Sequence, residues 1–197
     1  MENTMQERVE LIGNLAFRLT RAGYFLATAE SCTGGLIAAA CTEIAGSSDW
    51  FKGGVVAYSN DIKENVLGVP RAALEGYGAV SGPIVEHMAL GALRVCGAEA
   101  SIAVSGVAGP GGGTKAKPVG TVWIAVAVQE REGVCTFNLD EIAKGFPGCR
   151  RESAHGKHAL VFAERRQFDG DRASVRNQAV DTGLYDLLRL LEENALG

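Results

Sequence analysis

The sequence contains no apolar run approaching the ~20 residues that a membrane span needs. Its first ten residues are polar and acidic, and they lack the hydrophobic centre of a signal peptide. Basic residues are not in excess: the net charge is -4, whereas nucleic-acid binding relies on clustered Lys and Arg that neutralise phosphates. These absences argue against a membrane partner, a secreted protein and direct binding of nucleic acid.

Cysteines are few. There are five in 197 residues, an odd number that forms no dense framework, which is typical of a reducing compartment and predicts a cytoplasmic location. Four metal-ligand side chains do share one irregular stretch, but their spacing matches no standard zinc motif: Cys135, Cys149, His155 and His158. Structural zinc is the alternative there, and scattered surface residues are favoured, so no metal is expected.

Two common nucleotide motifs are also missing. The glycine-rich stretch 106–114 follows a predicted buried strand, yet it has neither Walker spacing nor a Gly-x-Gly-x-x-Gly register. ATP-binding and dinucleotide-binding folds are therefore disfavoured. Such a loop can still bring its backbone close to a ligand, and the alternative is a long turn without function.

What is present is a regular alternation of strand and helix patterns, long enough for one domain over residues 1–197. This alternation predicts an α/β fold with helices on both faces of a sheet. Residues 130–168 are harder to place and are interpreted as an elaborated hairpin at the sheet edge, with a strand at 159–163. Strands are predicted at residues 24–29, 53–58, 101–105 and 119–128, and helices at 5–22, 36–44, 60–67, from 70, 81–96 and from 171 onward.

Ser31 lies just after the first predicted strand and just before a helix that begins with two glycines. That position puts a hydroxyl beside free backbone N–H groups, which can stabilise developing negative charge. The sequence thus indicates a nucleophile with an adjacent oxyanion hole formed by Cys32, Thr33, Gly34 and Gly35. An ordinary helix cap is the alternative.

A serine nucleophile needs a base. None of the three histidines, His87, His155 and His158, follows a predicted strand with an acidic partner, and no Gly-x-Ser-x-Gly surrounds the serine. A Ser-His-Asp triad is therefore poorly supported.

Lys63 is the better candidate base. It is expected in the first turn of a helix capped near Asn60, where the helix dipole and burial would both lower its pKa. Tyr58, at the end of the second strand, could relay a proton or orient the lysine. The alternative is a solvated surface lysine.

Two arginines open the final predicted helix. Arg172 and Arg176 are one turn apart, and such a pair can hold a carboxylate or a phosphate. They could equally pair with acidic residues of a neighbouring subunit.

Seven blocks of sequence, taken together, resemble one family: Thr28-Ala29-Glu30-Ser31-Cys32-Thr33-Gly34-Gly35, Tyr58-Ser59-Asn60 with Lys63, Leu67-Gly68-Val69, Gly78-Ala79-Val80-Ser81, Gly109-Pro110 with Gly112-Gly113, Lys117-Pro118-Val119-Gly120, and Gly170-Asp171-Arg172 with Arg176. The chain resembles the CinA C-terminal domain family in the form that stands alone as a nicotinamide-nucleotide amidase. The resemblance implies a three-layer α/β/α sandwich with a mixed, mostly parallel sheet, and a homodimer or larger homo-oligomer. It also implies hydrolysis of nicotinamide mononucleotide to nicotinate mononucleotide and ammonia, in the recycling of pyridine nucleotides.

The resemblance further implies which residues act. Ser31 would be the nucleophile, with Lys63 taking its proton directly or through Tyr58, and with no metal or cofactor. Substrate contacts are expected from the glycine-rich loop, the two arginines and a serine in the Gly46-Ser47-Ser48 turn: Ser48, Ser105, Gly106, Ala108, Gly109, Gly112, Arg172 and Arg176.

Some positions depart from the family pattern. Ser105 stands where threonine is common and Gly111 where aspartate is common, and an insertion is expected within residues 130–168. These departures leave two alternatives open. One is the same chemistry on a different amide; the other is a non-catalytic, dimeric module that binds a nucleotide or a partner in competence or the DNA damage response.

Overall fold

The computed structural model describes residues 2–131, 139–145, 148–154 and 156–192. The elements in chain order are α1 (Glu2–Ala22), β1 (Leu26–Glu30), α2 (Leu36–Thr42), a 3-10 turn (Ser47–Asp49), β2 (Phe51–Val56), α3 (Asn60–Asn65), α4 (Arg71–Tyr77), α5 (Gly82–Cys96), β3 (Ala100–Gly106), β4 (Thr121–Gln129), α6 (Leu139–Gly145), β5 (Arg150–Ala154), β6 (Lys157–Gln167) and α7 (Arg172–Glu192).

The six strands form one sheet in the order β2-β1-β3-β4-β6-β5. β1 runs parallel to both β2 and β3, whereas the pairs β3–β4, β4–β6 and β6–β5 are antiparallel. The sheet is mixed, as predicted, but the expectation that it is mostly parallel is wrong. The reason lies in the connections: helices cross over between β1, β2 and β3, while β3 reaches β4 through a loop and β5 reaches β6 through a hairpin, which favour antiparallel pairing.

Helices cover both faces of the sheet, so the predicted α/β/α layering is confirmed. Alternate residues of β3 divide between the two cores: Ile102 and Val104 face α1, α2 and α7, and Ala103 faces α5. The strand residues under α5 are mostly alanines, which lets this helix lie close to the sheet: Ala27, Ala29, Ala103, Ala125 and Ala127.

α5 also approaches the chain after α3 closely. A Cβ built on Gly91 would lie 2.2 Å from the carbonyl oxygen of Leu67, a backbone atom that cannot move aside cheaply. We expect Gly91→Ala to lower the free energy of unfolding by about 1–3 kcal/mol, the usual cost of overpacking. Gly76→Ala is the matched control: it lies in α4 with nothing within 4 Å of an added Cβ, so higher helix propensity should leave stability unchanged or slightly raised. Urea unfolding of both variants measures this, and equal stability of Gly91→Ala and wild type would contradict it.

Residues 130–168 contain the predicted edge hairpin. The strand expected at 159–163 lies inside the longer β6, and β5 forms the sheet edge. α6 was not predicted; its Leu139 and Ile142 belong to the same core cluster as the buried residues of α1 and α7. Cys135 and His155 of the zinc alternative lie outside the described residues. Within the described part of the chain, no group of three or more His, Cys, Asp or Glu side chains is placed to hold a metal ion, and no helix there is long and apolar enough to cross a bilayer.

Candidate active site

The carboxyl ends of β1, β2 and β3 meet at one edge of the sheet, the edge where open α/β sheets bind ligands. A cavity of about 250 Å³ opens there. Its lining comes from the ends of these strands and the segments after them, from the residues before α5 and from the start of α7: Ser31, Cys32, Tyr58, Asn60, Lys63, Ala79, Val80, Ser105, Gly106, Ala108 and Arg172. The structure thus brings Ser31, Tyr58 and Lys63 together around one cavity.

Lys63 points into this cavity from α3 and is only 1% exposed, so it is not a solvated surface lysine. Its ammonium nitrogen lies 3.3 Å from Ser31 Oγ. It also donates to the carbonyl oxygens of Ala57 at 2.7 Å and Tyr58 at 3.4 Å. Burial lowers the pKa of Lys63, against a smaller opposing effect of the Cys32 sulfur. A lysine that is neutral at a lower pH than usual, in contact with a serine hydroxyl, can take that hydroxyl's proton.

Of the two predicted causes of the low pKa, burial and the helix dipole, the second needs correction. α3 is only six residues long and places Lys63 in its last turn, not its first. The capping residue is Ser59, directly before Asn60, and its hydroxyl accepts from Ile62 N at 3.3 Å. The side chain folds back towards residues 57 and 58, and its burial lowers the pKa of the lysine. The last turn of a helix is where the dipole favours a cation, so the dipole does not account for the lower pKa.

Ser31 is not the cap of α2. That helix begins five residues later, and its N-cap is Gly35, which is left-handed at φ 100° and has no side chain to offer. The Ser31 amide donates to the carbonyl of Val104 at 3.0 Å, which ties the serine to the end of β3. Its hydroxyl is left to face Lys63.

Of the four residues expected to form the oxyanion hole, two have backbone amides that already donate to other groups of the protein. The amide of Gly35 donates to the Glu30 carboxylate at 2.9 Å, and that of Gly34 to the Ser31 carbonyl at 3.1 Å. Both are therefore taken by the protein. Among the described residues no oxygen accepts from the amides of Cys32 and Thr33. Both N–H groups lie near the Cys32 sulfur, where they lower the pKa of the thiol against the larger effect of burial.

Cys32 lies beside the serine in the same cavity, but burial raises the pKa of its thiol to about 11. The thiol stays protonated near neutral pH, and a protonated thiol is a poor nucleophile. Ser31 is therefore the better nucleophile of the two.

Tyr58 has two separate contacts. Its main-chain carbonyl holds the Lys63 ammonium, whereas its phenol ring is 62% exposed and its hydroxyl accepts from Arg172 Nη2 at 3.3 Å. Arg172 Nη1 also donates to the carbonyl of Gly109 at 2.8 Å. The tyrosine thus orients the lysine through its backbone, and its ring forms the rim of the cavity with Arg172.

The expected substrate-binding residues fall into two groups. Gly106 and Ala108 line the cavity beside Ser105, whose buried hydroxyl donates to the carbonyl of Ala79 at 2.8 Å. Gly109 and Gly112 do not line the cavity. Gly109 acts indirectly, because its carbonyl oxygen accepts from the guanidinium of Arg172.

Two further residues that were expected to contact the substrate also lie outside the cavity lining. Ser48 is exposed in the 3-10 turn that precedes β2. Because β1 and β2 are parallel, this turn lies at the amino ends of the strands, whereas Ser31 follows the carboxyl end of β1. Within a single chain, Ser48 is therefore far from the cavity. Arg176 donates through Nη2 to the carbonyl of Thr33 at 2.6 Å and does not line the cavity. Asn60 lines the cavity but was not predicted to do so. The sequence suggested only a helix cap at this position, although Asn60 directly follows Tyr58 and Ser59.

The chain is similar to known proteins over most of its length. The family model of the CinA C-terminal domain matches residues 9–145. A protein of Enterobacter agglomerans named nicotinamide-nucleotide amidohydrolase PncC is 43% identical over 185 residues, covering 94% of this chain and 96% of that protein. Its namesake in Pseudomonas putida is 45% identical over 180 residues, covering 91% and 94%.

Solved structures match over the same extent. A competence-damaged protein (CinA) superfamily protein of Klebsiella pneumoniae 700603 superposes with a TM-score of 0.75 at 34% identity, covering 94% of this chain and 98% of that one. The competence/damage inducible protein CihA of Agrobacterium tumefaciens gives a TM-score of 0.74 at 38% identity, covering 93% and 94%.

Proposed function

This chain belongs to the CinA C-terminal domain family, and from that premise we propose that it hydrolyses the carboxamide of nicotinamide mononucleotide, giving nicotinate mononucleotide and ammonia. The observation that carries the proposal is the contact of 3.3 Å between Ser31 Oγ and a buried lysine amine inside a cavity at the strand ends. The names of relatives that align over most of the chain support the choice of substrate.

The reaction follows from the position of each group. Neutral Lys63 takes the proton of Ser31 as the serine oxygen attacks the carboxamide carbon. The carbonyl oxygen becomes an oxyanion, held by the amides of Cys32 and Thr33. The Lys63 ammonium then gives the proton to the leaving nitrogen. The carbonyl re-forms as the C–N bond breaks, which releases ammonia and leaves an ester on Ser31.

Hydrolysis of that ester repeats the steps with water. Lys63, neutral again, takes a proton from a water molecule that attacks the ester carbon, and the proton then goes to Ser31 Oγ as the bond breaks. The carboxylate product is released and the serine is restored. No group outside the chain is required for this proton transfer, and we expect no cofactor.

Release of ammonia from nicotinamide mononucleotide by the purified protein tests the proposal, with the nucleotide product identified by chromatography. Equimolar ammonia and nicotinate mononucleotide are expected. Binding of the nucleotide without release, at a pH where Lys63 is neutral, would instead favour the non-catalytic binding module.

Arg172 is the cavity residue best suited to the substrate phosphate. Its guanidinium is exposed at the rim and is oriented by the Gly109 carbonyl and the Tyr58 hydroxyl. We expect Arg172→Ala to raise KM for the mononucleotide about 10-fold or more, because a charge-assisted hydrogen bond contributes roughly 1.5–3 kcal/mol.

The control for this prediction is chemical. Nicotinamide riboside lacks the phosphate, so its kcat/KM should change much less in Arg172→Ala. Arg165→Ala is the matched variant, since Arg165 is an exposed arginine that donates to the Ala116 carbonyl outside the cavity. An equal loss for nucleotide and riboside would show that Arg172 does not bind the phosphate.

We also propose that the protein acts in the cytoplasm as a homodimer or larger homo-oligomer, which the resemblance to its family supports. Light scattering on the purified protein measures the assembly, and a monomer at assay concentration would contradict this part of the proposal.

A further inference from the structure

A buried carboxylate lies directly behind the nucleophile. Glu30 is the last residue of β1 and is 1% exposed. Its Oε2 accepts from the amides of Gly35 at 2.9 Å and Ile37 at 3.0 Å, and its Oε1 accepts from Ala38 at 2.8 Å. These are the amides that the first turn of α2 leaves without a helical partner.

The local backbone makes this reach possible. Gly34 and Gly35 both have positive φ, 63° and 100°, which is the left-handed region that favours glycine. The two glycines turn the chain so that α2 starts over the side chain of Glu30. The N-cap residue of α2 is a glycine, which has no side chain to accept a hydrogen bond. The Glu30 carboxylate therefore accepts from the free amides of the first turn in its place.

The other side of the same turn is held by a cation. Arg176, on α7, donates to the carbonyl of Thr33 at 2.6 Å, and the Ser31 amide donates to Val104. The peptides between residues 31 and 35 are thus fixed at both ends, and the amides of Cys32 and Thr33 lie between the fixed points.

We propose that Glu30 is a positioning residue of the active site: by holding the first turn of α2, it sets the direction of the Cys32 and Thr33 amides relative to Ser31. Glu30 also occupies the α2 amides, so a developing oxyanion is directed to the two amides beside the nucleophile. The inference rests on the proposed amidase function.

The test is Glu30→Gln, which keeps the size of the side chain but replaces one acceptor oxygen by an NH₂ group. We expect kcat for nicotinamide mononucleotide to fall roughly 10- to 100-fold, as expected for misplaced oxyanion donors. KM should change less than about twofold, because the phosphate contacts are untouched. The midpoint of the pH–rate profile should stay where it is in wild type, since the Lys63 surroundings are unchanged.

Glu99→Gln is the matched control. Glu99 is a half-buried carboxylate that accepts from the Phe25 amide at 3.0 Å at the opposite end of β1. It should lose stability, measured as Tm, and keep wild-type kcat. Glu30→Asp keeps the negative charge but shortens the side chain by one methylene group. Its kcat should fall as in Glu30→Gln, so it provides the test if Glu30→Gln does not fold.

Two results would overturn the inference: wild-type kcat in Glu30→Gln despite a lower Tm, or a change confined to KM. Labelling of Ser31 by a fluorophosphonate separates this failure from failure of the proposed function. If wild type neither releases ammonia nor is labelled at Ser31, the function itself is wrong. If wild type does both and the Glu30 variants match it, only the role of Glu30 is wrong.

Discussion

Ser31→Ala is expected to lower kcat for nicotinamide mononucleotide about 10⁴-fold or more, because a serine hydrolase without its nucleophile keeps only the rate given by binding and the oxyanion site. The fold should survive, since the hydroxyl's one hydrogen bond in the described structure is to Lys63. Nucleotide binding, measured by calorimetry, should stay close to that of wild type. Ammonia release then reports on chemistry alone.

The control for this prediction is a serine removed from the cavity. Ser101, on β3, is fully buried and donates to the carbonyl of Ala89 at 2.9 Å in the α5 interface. Ser101→Ala should lower Tm and leave kcat unchanged. Substantial ammonia release by Ser31→Ala would mean that another group attacks the amide.

Lys63→Ala should lower kcat about 10³-fold, in the range of general-base contributions. In wild type the active form is the one with neutral lysine, so kcat/KM should rise with pH through the Lys63 pKa. Burial lowers that pKa from its ordinary value, and the rise should therefore occur at lower pH than an exposed lysine would give. A pH–rate profile measures the position of the rise.

Two further variants sharpen this prediction. Lys63→Arg keeps a cation that does not lose its proton, so it should be inactive at every pH tested. Lys117→Ala is the matched control, because Lys117 donates to the Tyr77 carbonyl on the exposed surface. Added small amines should partly restore Lys63→Ala by supplying a base to the vacated space. Full activity of Lys63→Arg would contradict the role of the lysine as base.

The pairing of Ser31 with Lys63 could be predicted from the sequence because each follows a strand of parallel direction, and the carboxyl ends of such strands meet. The same reasoning explains why Tyr58 and Gly106 lie at the cavity. Among the described residues, those that line the cavity include no histidine.

Sequence reasoning missed or misplaced residues where a left-handed turn or a contact between distant elements decides the geometry. The role of Glu30 depends on two left-handed glycines that bring α2 back over β1, and an acidic residue at a strand end carries no such signal by itself. Arg176 was expected to contact the substrate because it shares a helix face with Arg172. In the structure its guanidinium donates to the carbonyl oxygen of Thr33 instead. The antiparallel half of the sheet depends on how β6 pairs with β4, which periodicity within each strand does not reveal.

The central claim is that Ser31 attacks the carboxamide of a nicotinamide nucleotide, and the most direct measurement is ammonia released from nicotinamide mononucleotide beside free nicotinamide under identical conditions. The account predicts equimolar ammonia and nicotinate mononucleotide from the nucleotide, a far lower kcat/KM for free nicotinamide, and no release by Ser31→Ala. No ammonia from the nucleotide with wild-type protein, or equal turnover of both compounds, would contradict it.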